Sequence, residues 1–244
     1  MLENNRNAFV GSNAEALFKN SIIDHPSVIQ SIKTYFNLLG DLDASMRSGI
    51  HGEKADVKLG FTCGHVIDVN IKAYKPSSGF NQLTRASINR FCDIFGINKK
   101  NREKLKEIVL NKARNTKLDL FPEPERKYWH SFFEPRVNEL IKWGFSYKPS
   151  REILVLFDRN EFLFRIYPMK DILKQLYNKP LKFTKGGFNI GENVSFQRKG
   201  GNGSLSKTIP KTSLMHPGND IQLKLKILPF IKEMEKHLLT KYSV

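Results

Sequence analysis

The order of hydrophobic and polar positions predicts a chain that mixes helices with strands. Apolar residues recur at helical spacing over residues 14–22, with Ser12 as the N-cap, and over HPSVIQSIKTYFNLLG, which Gly40 ends. The same spacing predicts helices over residues 83–95, 101–112, 121–144 (bent at Pro135), 170–177 and 228–242. The polar stretches DLDASMRSGIHGEK and PSSGFNQ predict loops.

Alternation of apolar and polar residues predicts the strands. Residues 54–75 read as one hairpin, and REILVLF with EFLFRIYPM as a second. Two more strands are expected in LKFTKGGFNIGENVSFQRKGGNG and one in DIQLKLKI. The expected fold class is therefore α/β, with a mixed sheet flanked by helices. We expect one domain over residues 1–244, with a soft boundary near 146–150 between a catalytic N-terminal part and a C-terminal part.

Composition and charge narrow the class of protein. The 244 residues are 40% hydrophobic, enough for a sizeable core, and 40 Lys and Arg against 24 Asp and Glu give a net charge of +16. That excess favours a polyanionic partner, nucleic acid first, over a basic protein that is merely soluble. Two cysteines make no disulfide framework and indicate a reduced, cytoplasmic compartment. No apolar run approaches membrane-spanning length, so we expect neither a membrane partner nor export.

The first hairpin carries the candidate chemistry. Asp68, Asn70 and Lys72 alternate along its second strand and share one face, opposite Asp56 on the neighbouring strand. A carboxylate, an amide oxygen and the Ile71 carbonyl are acceptable ligands for Mg²⁺, and a lysine beside them can contact a phosphate or position water. Phosphodiester hydrolysis needs an activated water and neutralisation of the charge that develops on the phosphate, and this combination can provide both. The alternative is an exposed polar face on an edge hairpin. The role of Asp68 is open, because it could be a ligand or a salt-bridge partner of Lys72.

These residues resemble the active-site region of type II restriction endonucleases of the HinP/MspI kind. Those enzymes are a branch of the PD-(D/E)xK nuclease superfamily in which Asn or Gln replaces the second acid. The resemblance implies that Asp56, Asn70 and Lys72 are catalytic, that Asp56 and Asn70 bind Mg²⁺, and that the fold is restriction-endonuclease-like. FFEPRVNELIKWG and FNIGENVSFQRKGGNG resemble two further segments of such enzymes. An acid on the first helix often approaches the metal in this superfamily, which makes Glu15 a candidate ligand. The alternative for Glu15 is a solvated residue of the N-terminal helix.

Two segments are candidates for reading DNA. GFNQ follows the hairpin and offers Phe80 as a wedge between base steps, with Asn81 and Gln82 as amides for base edges. The alternative for Phe80 is a core residue that anchors its loop.

The second segment is QRKGGNG. Arg198 and Lys199 can pair with guanine and Gln197 with adenine, provided that the strand ends or bulges at Gly200 and Gly201. The alternative is a basic turn that contacts phosphates alone.

The sequence therefore predicts a Mg²⁺-dependent type II restriction endonuclease that cleaves double-stranded DNA at a short palindrome. The resemblance implies a site of four G and C pairs, and a cognate DNA methyltransferase in the same cell that forms no complex with the chain. The chain would act as a monomer or homodimer. Two rivals stay open: a basic nucleic-acid-binding protein without catalysis, and a repair or structure-specific nuclease on the same fold.

Overall fold

A computed structural model describes residues 6–47, 55–78, 80–201 and 207–244. The helices in these ranges are α1 (Arg6–Ser21), α2 (Pro26–Phe36), α3 (Ile88–Ile94), α4 (Lys99–Arg114), α5 (Arg126–Phe133), α6 (Val137–Gly144), α7 (Met169–Leu176) and α8 (Ile227–Met234). The strands are β1 (Leu42–Arg47), β2 (Val57–Phe61), β3 (Val66–Tyr74), β4 (Phe80–Ala86), β5 (Glu152–Asp158), β6 (Leu163–Pro168), β7 (Leu181–Thr184), β8 (Gly187–Ile190), β9 (Val194–Arg198), β10 (Ile221–Lys226) and β11 (Thr240–Ser243).

The strands form two sheets, and the predicted α/β class is confirmed. One sheet has the order β1-β2-β3-β5-β6-β11, and the other has the order β4-β10-β9-β8-β7. The chain divides into two compact units. The first comprises Met1–Asn81, Ser146–Gln175 and Ile231–Val244, and the second comprises Gln82–Phe145 and Leu176–Phe230. The single domain expected from the sequence stays a prediction.

The first unit is built on a mixed sheet. β3 and β5 are parallel, whereas β1–β2, β2–β3, β5–β6 and β6–β11 are antiparallel. Alternate residues of β3, among them Val69 and Ile71, join a core with Phe18 of α1 and Ile32 of α2. The two helices therefore cover one face of the sheet, and the other residues of β3 lie on the opposite face.

The second unit has an aromatic core. Phe188 of β8 and Phe196 of β9 are cross-strand partners whose rings stack at 4.5 Å with 2° between their planes. Phe133 of α5 packs at 4.9 Å from Phe188 and 5.2 Å from Phe196. Trp129 and Trp143 are buried, as their helical pattern predicts. This aromatic cluster stabilises the β8–β9 hairpin, and the glycine turn follows the end of β9 at Arg198.

The hairpins and most helices are confirmed, and the edge strands are where the sequence predictions fail. DLDASMRSGIHGEK was expected to be a loop, but β1 occupies its first half and pairs with β2. The expected C-terminal helix stops at Met234, and β11 follows it. β4 takes the place of the first residues of the helix expected over 83–95, and three strands, β7 to β9, stand where two were expected. β1 and β11 are the two ends of their sheet, so each has one neighbouring strand and a weak sequence pattern.

Two helix ends also differ from the prediction. α1 begins at Arg6, so Ser12 lies inside the helix and is not its N-cap. α2 ends before Gly40, because Asn37 takes the left-handed conformation (φ 53°) that closes a helix. The predicted bend at Pro135 is present as a short 3₁₀ turn between α5 and α6.

Cys63 is exposed and Cys92 is buried, and both are free thiols. Among the described residues, no helix combines the length and the apolar character needed to cross a membrane.

We expect Gly187→Ala to destabilise the second unit strongly. A methyl group at Gly187 (φ 157°) would approach the carbonyl oxygen of Phe196 to 2.0 Å, so the β8–β9 ladder would have to open. The free energy of unfolding should fall by at least about 2 kcal/mol in urea denaturation. Gly186→Ala is the matched control, since its added methyl meets the nearest atom, Oε1 of Gln197, at an ordinary 3.6 Å. Equal stability of the two variants would contradict this account.

Candidate active site

The site forms where the β2–β3 ladder stops. The last pair in register is Val57 with Val69, and the backbone N–H of Asp56 still donates to the Val69 carbonyl at 2.8 Å. Beyond that point β3 continues, paired with β5 on its other side. The backbone N–H and carbonyl of Ile71 therefore face the space that β2 has left.

Side chains from both strands fill that space. Oδ2 of Asp56 accepts a hydrogen bond from the Ile71 N–H at 2.7 Å. Nζ of Lys72 donates to the Ile71 carbonyl at 3.2 Å and lies 3.7 Å from Oδ2 of Asp56. A carboxylate, a backbone carbonyl and an ammonium thus meet at one point, each held by a short contact.

Asn70 adds a buried oxygen on the same side of the sheet. Its side chain is 6% exposed, and among the described residues Oδ1 accepts no hydrogen bond. Its cross-strand partner is Leu154 of β5, which is buried and apolar. A buried acceptor without a donor costs about 1–3 kcal/mol, so its place here needs a reason beyond stability.

These oxygen atoms are suitable ligands for a hard divalent cation. The Asp56 carboxylate, Oδ1 of Asn70 and the carbonyl of Ile71 supply oxygen ligands of the types that Mg²⁺ accepts. The orphaned Asn70 oxygen is the observation that favours a bound cation. Within the described ranges, no group of three His, Cys, Asp or Glu residues comes together that could hold a metal. Glu15, half-buried on α1, and Asp68 therefore do not form a three-carboxylate group with Asp56, and their roles stay predictions.

Glu152 is a residue that the sequence reasoning missed. It is the first residue of β5, it is buried, and its partner across the parallel ladder is Asp68. Because Ile153 and Val69 pair in the core, Glu152 and Asp68 lie on the face of the sheet that carries Asn70. An acid at the start of the otherwise apolar run ILVLF was the available signal.

The far end of the same face is closed by a polar network. Nη1 of Arg165 donates to the Tyr74 hydroxyl at 2.7 Å and lies 3.8 Å from Oδ2 of Asp158. Burial raises the pKa of Tyr74, an effect that the Arg165 charge opposes in part. Arg165 of β6 therefore holds the Tyr74 hydroxyl at the end of β3.

The GFNQ segment begins β4 and is not the loop that the sequence predicts. Nδ2 of Asn81 donates to the Ala73 carbonyl at 2.8 Å, so this amide supports β3 in the structure. Gln82 is exposed. Gly79 and the side chain of Phe80 lie outside the described part, so the predicted wedge stays a prediction.

The QRKGG turn belongs to the second unit. β9 ends at Arg198, and Gly200 (φ 62°) and Gly201 (φ 75°) are both left-handed, so the strand ends at these glycines as expected. Gln197 and Lys199 are half-buried. Nε of Arg198 donates to Oδ1 of Asn219 at 2.8 Å, and burial lowers the pKa of the guanidinium.

Asn219 is a second residue that the sequence did not reveal. It is fully buried, and Nδ2 donates to the carbonyls of Lys211 and Ser213 at 2.9 and 2.7 Å. One amide therefore orients Arg198 and pins the loop after it. Only the fold brings these residues together, so no local pattern could have predicted the contact.

A restriction endonuclease is similar in structure. It is MspI, in a crystal structure with its cognate DNA, and it is 14% identical to this chain with a TM-score of 0.49 over 87% of this chain and 80% of that one. No protein-family model and no curated protein matches the chain.

We expect Asn70→Leu to stabilise the protein when no divalent cation is present. The substitution removes a buried acceptor that has no donor and places an apolar side chain beside Leu154. The free energy of unfolding in urea with EDTA should rise by about 1 kcal/mol. Asn81→Leu is the control and should lower it by about 1 kcal/mol, because that amide donates to Ala73. If both variants lost stability alike, Asn70 would have a structural partner.

Proposed function

We propose that this chain is an endonuclease that uses Mg²⁺ to hydrolyse both strands of duplex DNA at a short palindrome, as type II restriction endonucleases do. The observation that supports this proposal is the meeting of Asp56, Lys72 and the Ile71 carbonyl beside the orphaned oxygen of Asn70. A net charge of +16 suits a polyanionic substrate.

Each residue has a role in this proposal. Asp56, Asn70 and the Ile71 carbonyl hold the cation, and Glu15 is a further candidate ligand. Mg²⁺ bound there supplies a Lewis acid that offsets charge on the phosphate and acidifies a water. Lys72 binds a non-bridging phosphate oxygen and helps to place the attacking water, since its ammonium already lies within 3.7 Å of Asp56.

Base reading is assigned to the second unit in this proposal. Arg198 and Lys199 contact guanine, Gln197 contacts an adenine or mixed edge, and residues 80–82 contact the DNA near the cleaved bond. The fixed Arg198–Asn219 contact supports a reading role, because a pre-oriented guanidinium loses less freedom on binding. The resemblance of the sequence extends the proposal to a site of four G and C pairs.

The biological setting belongs to the same proposal. A nuclease of this kind requires a methyltransferase that protects the same site in the cell's own DNA, acting separately from the chain. We place the enzyme in the cytoplasm, as a monomer or homodimer.

We expect Asp56→Asn and Lys72→Met each to reduce cleavage of unmethylated plasmid in Mg²⁺ by at least about 100-fold. The first removes the negative charge of the Asp56 carboxylate from the proposed cation site, and the second removes the group proposed to bind the phosphate. The measurement is the rate of plasmid conversion on agarose gels, with unfolding curves as a check on the fold. Another Asp–Lys pair of the first unit gives the matched control: Asp41→Asn and Lys33→Met break an exposed ion pair of 2.7 Å and should retain full activity.

The cleavage pattern separates the proposal from its rivals. Discrete fragments are the expected product, whereas smears or random nicks would mean a nuclease of another kind. A folded wild-type protein that binds DNA and does not cleave it with Mg²⁺ would be a binding protein.

We expect Arg198→Ala to weaken binding to the cleaved sequence by about 1–3 kcal/mol and binding to a scrambled duplex far less. Lys207→Ala, the control on an exposed lysine, should weaken both duplexes alike and reduce the salt slope by about one. The measurement is a pair of titrations without Mg²⁺ at matched salt. Equal losses on both duplexes for Arg198→Ala would make the turn a phosphate clamp.

A further inference from the structure

A cysteine and a histidine lie together at the turn between β2 and β3. Cys63 is exposed, and its Sγ lies 3.4 Å from Nδ1 of His65. Asp56 is at the opposite end of β2, roughly 20 Å away for a strand of this length. The pair is therefore separate from the candidate active site.

Backbone hydrogen bonds hold the turn that carries Cys63. The Gly64 N–H donates to the Phe61 carbonyl at 2.8 Å, and the Phe61 N–H donates to the His65 carbonyl at 2.9 Å. Gly64 has a φ of 77°, which a residue with a side chain would adopt only with strain.

A second segment packs closely against the turn. The Thr62 N–H donates to the Asp41 carbonyl and Oγ1 of Thr62 accepts from the Asp41 N–H, both at 2.9 Å. A methyl group at Gly40 would come within 2.4 Å of the Cys63 nitrogen, so this position has room for glycine alone. Because of this close approach, the backbone N–H groups of Gly40 and His65 both donate hydrogen bonds to the Cys63 sulfur.

This surrounding favours the thiolate. Backbone donors and the imidazole stabilise negative charge on sulfur, and they lower the pKa of Cys63 to about 7, with the His65 backbone as the largest cause. Burial has the opposite effect on the other cysteine and raises the pKa of Cys92 to about 11. The surroundings of Cys63 therefore favour the thiolate, and those of Cys92 favour the neutral thiol.

We propose that Cys63 is a modification site that takes low-molecular-weight disulfides. The Cys63 thiolate attacks one sulfur of the disulfide, a mixed disulfide forms at Cys63, and the sulfur–sulfur bond of the reagent breaks. The departing thiolate takes up the proton that His65 received from Cys63, so one thiol is consumed and one is released. This inference is independent of the nuclease proposal.

The test compares the two thiols in the native protein. Dithionitrobenzoate at pH 7 should release one equivalent of chromophore rapidly, and peptide mass analysis should place the mixed disulfide at Cys63. Cys92 should react only after denaturation in urea. A reaction first at Cys92, or with neither thiol, would overturn the proposal.

The pH dependence of the rate tests the surrounding groups. The midpoint for Cys63 should lie near 7, below the value of about 8.5 for a free cysteine. His65→Gln should move the midpoint upward, whereas His130→Gln, on an exposed histidine of the second unit, should leave it unchanged. A wild-type midpoint near 8.5 would show an ordinary surface cysteine and overturn the proposal, whereas no change in His65→Gln would overturn the proton transfer to the imidazole.

Discussion

The shortness of β2 is the constraint on which the candidate site depends. Its ladder with β3 stops at Val57 and Val69, and the next backbone groups of β3 on the side of β2 belong to Ile71. A longer β2 would pair with them. Instead the N–H meets the Asp56 carboxylate and the carbonyl meets the Lys72 ammonium. Backbone geometry, more than side-chain packing, sets where the charged groups lie.

The two faces of β3 divide stability from chemistry. One face joins the core beneath α1 and α2, and the other carries Asp68, Asn70 and Lys72. The buried amide of Asn70 has an oxygen that accepts no hydrogen bond among the described residues, and an unpaired buried acceptor costs about 1–3 kcal/mol. A strand that the core holds on one face can tolerate that cost on the other.

The local sequence pattern predicted the structural features that depend on residues close together in the chain. The period of two in β3 was enough to place Asp68, Asn70 and Lys72 on one face, and Gly200 with Gly201 was enough to end β9. The missed features depend on distant residues. β1 and β11 are strands because a neighbour pairs with them, Glu152 reaches the site face through a parallel ladder, and Asn219 contacts Arg198 across a loop.

The parallel pairing of β3 with β5 also governs how the protein is made. The chain leaves the first sheet after β3, builds residues 82–145 of the second unit, and only then returns to β5. The edge strand β11 comes later still, at residues 240–243. A ribosome therefore releases Asp56 and Lys72 long before the strands that fix them, and contacts so far apart in sequence form slowly. The hairpin that carries Asp56 and Lys72 is therefore synthesised before the strands that complete its sheet.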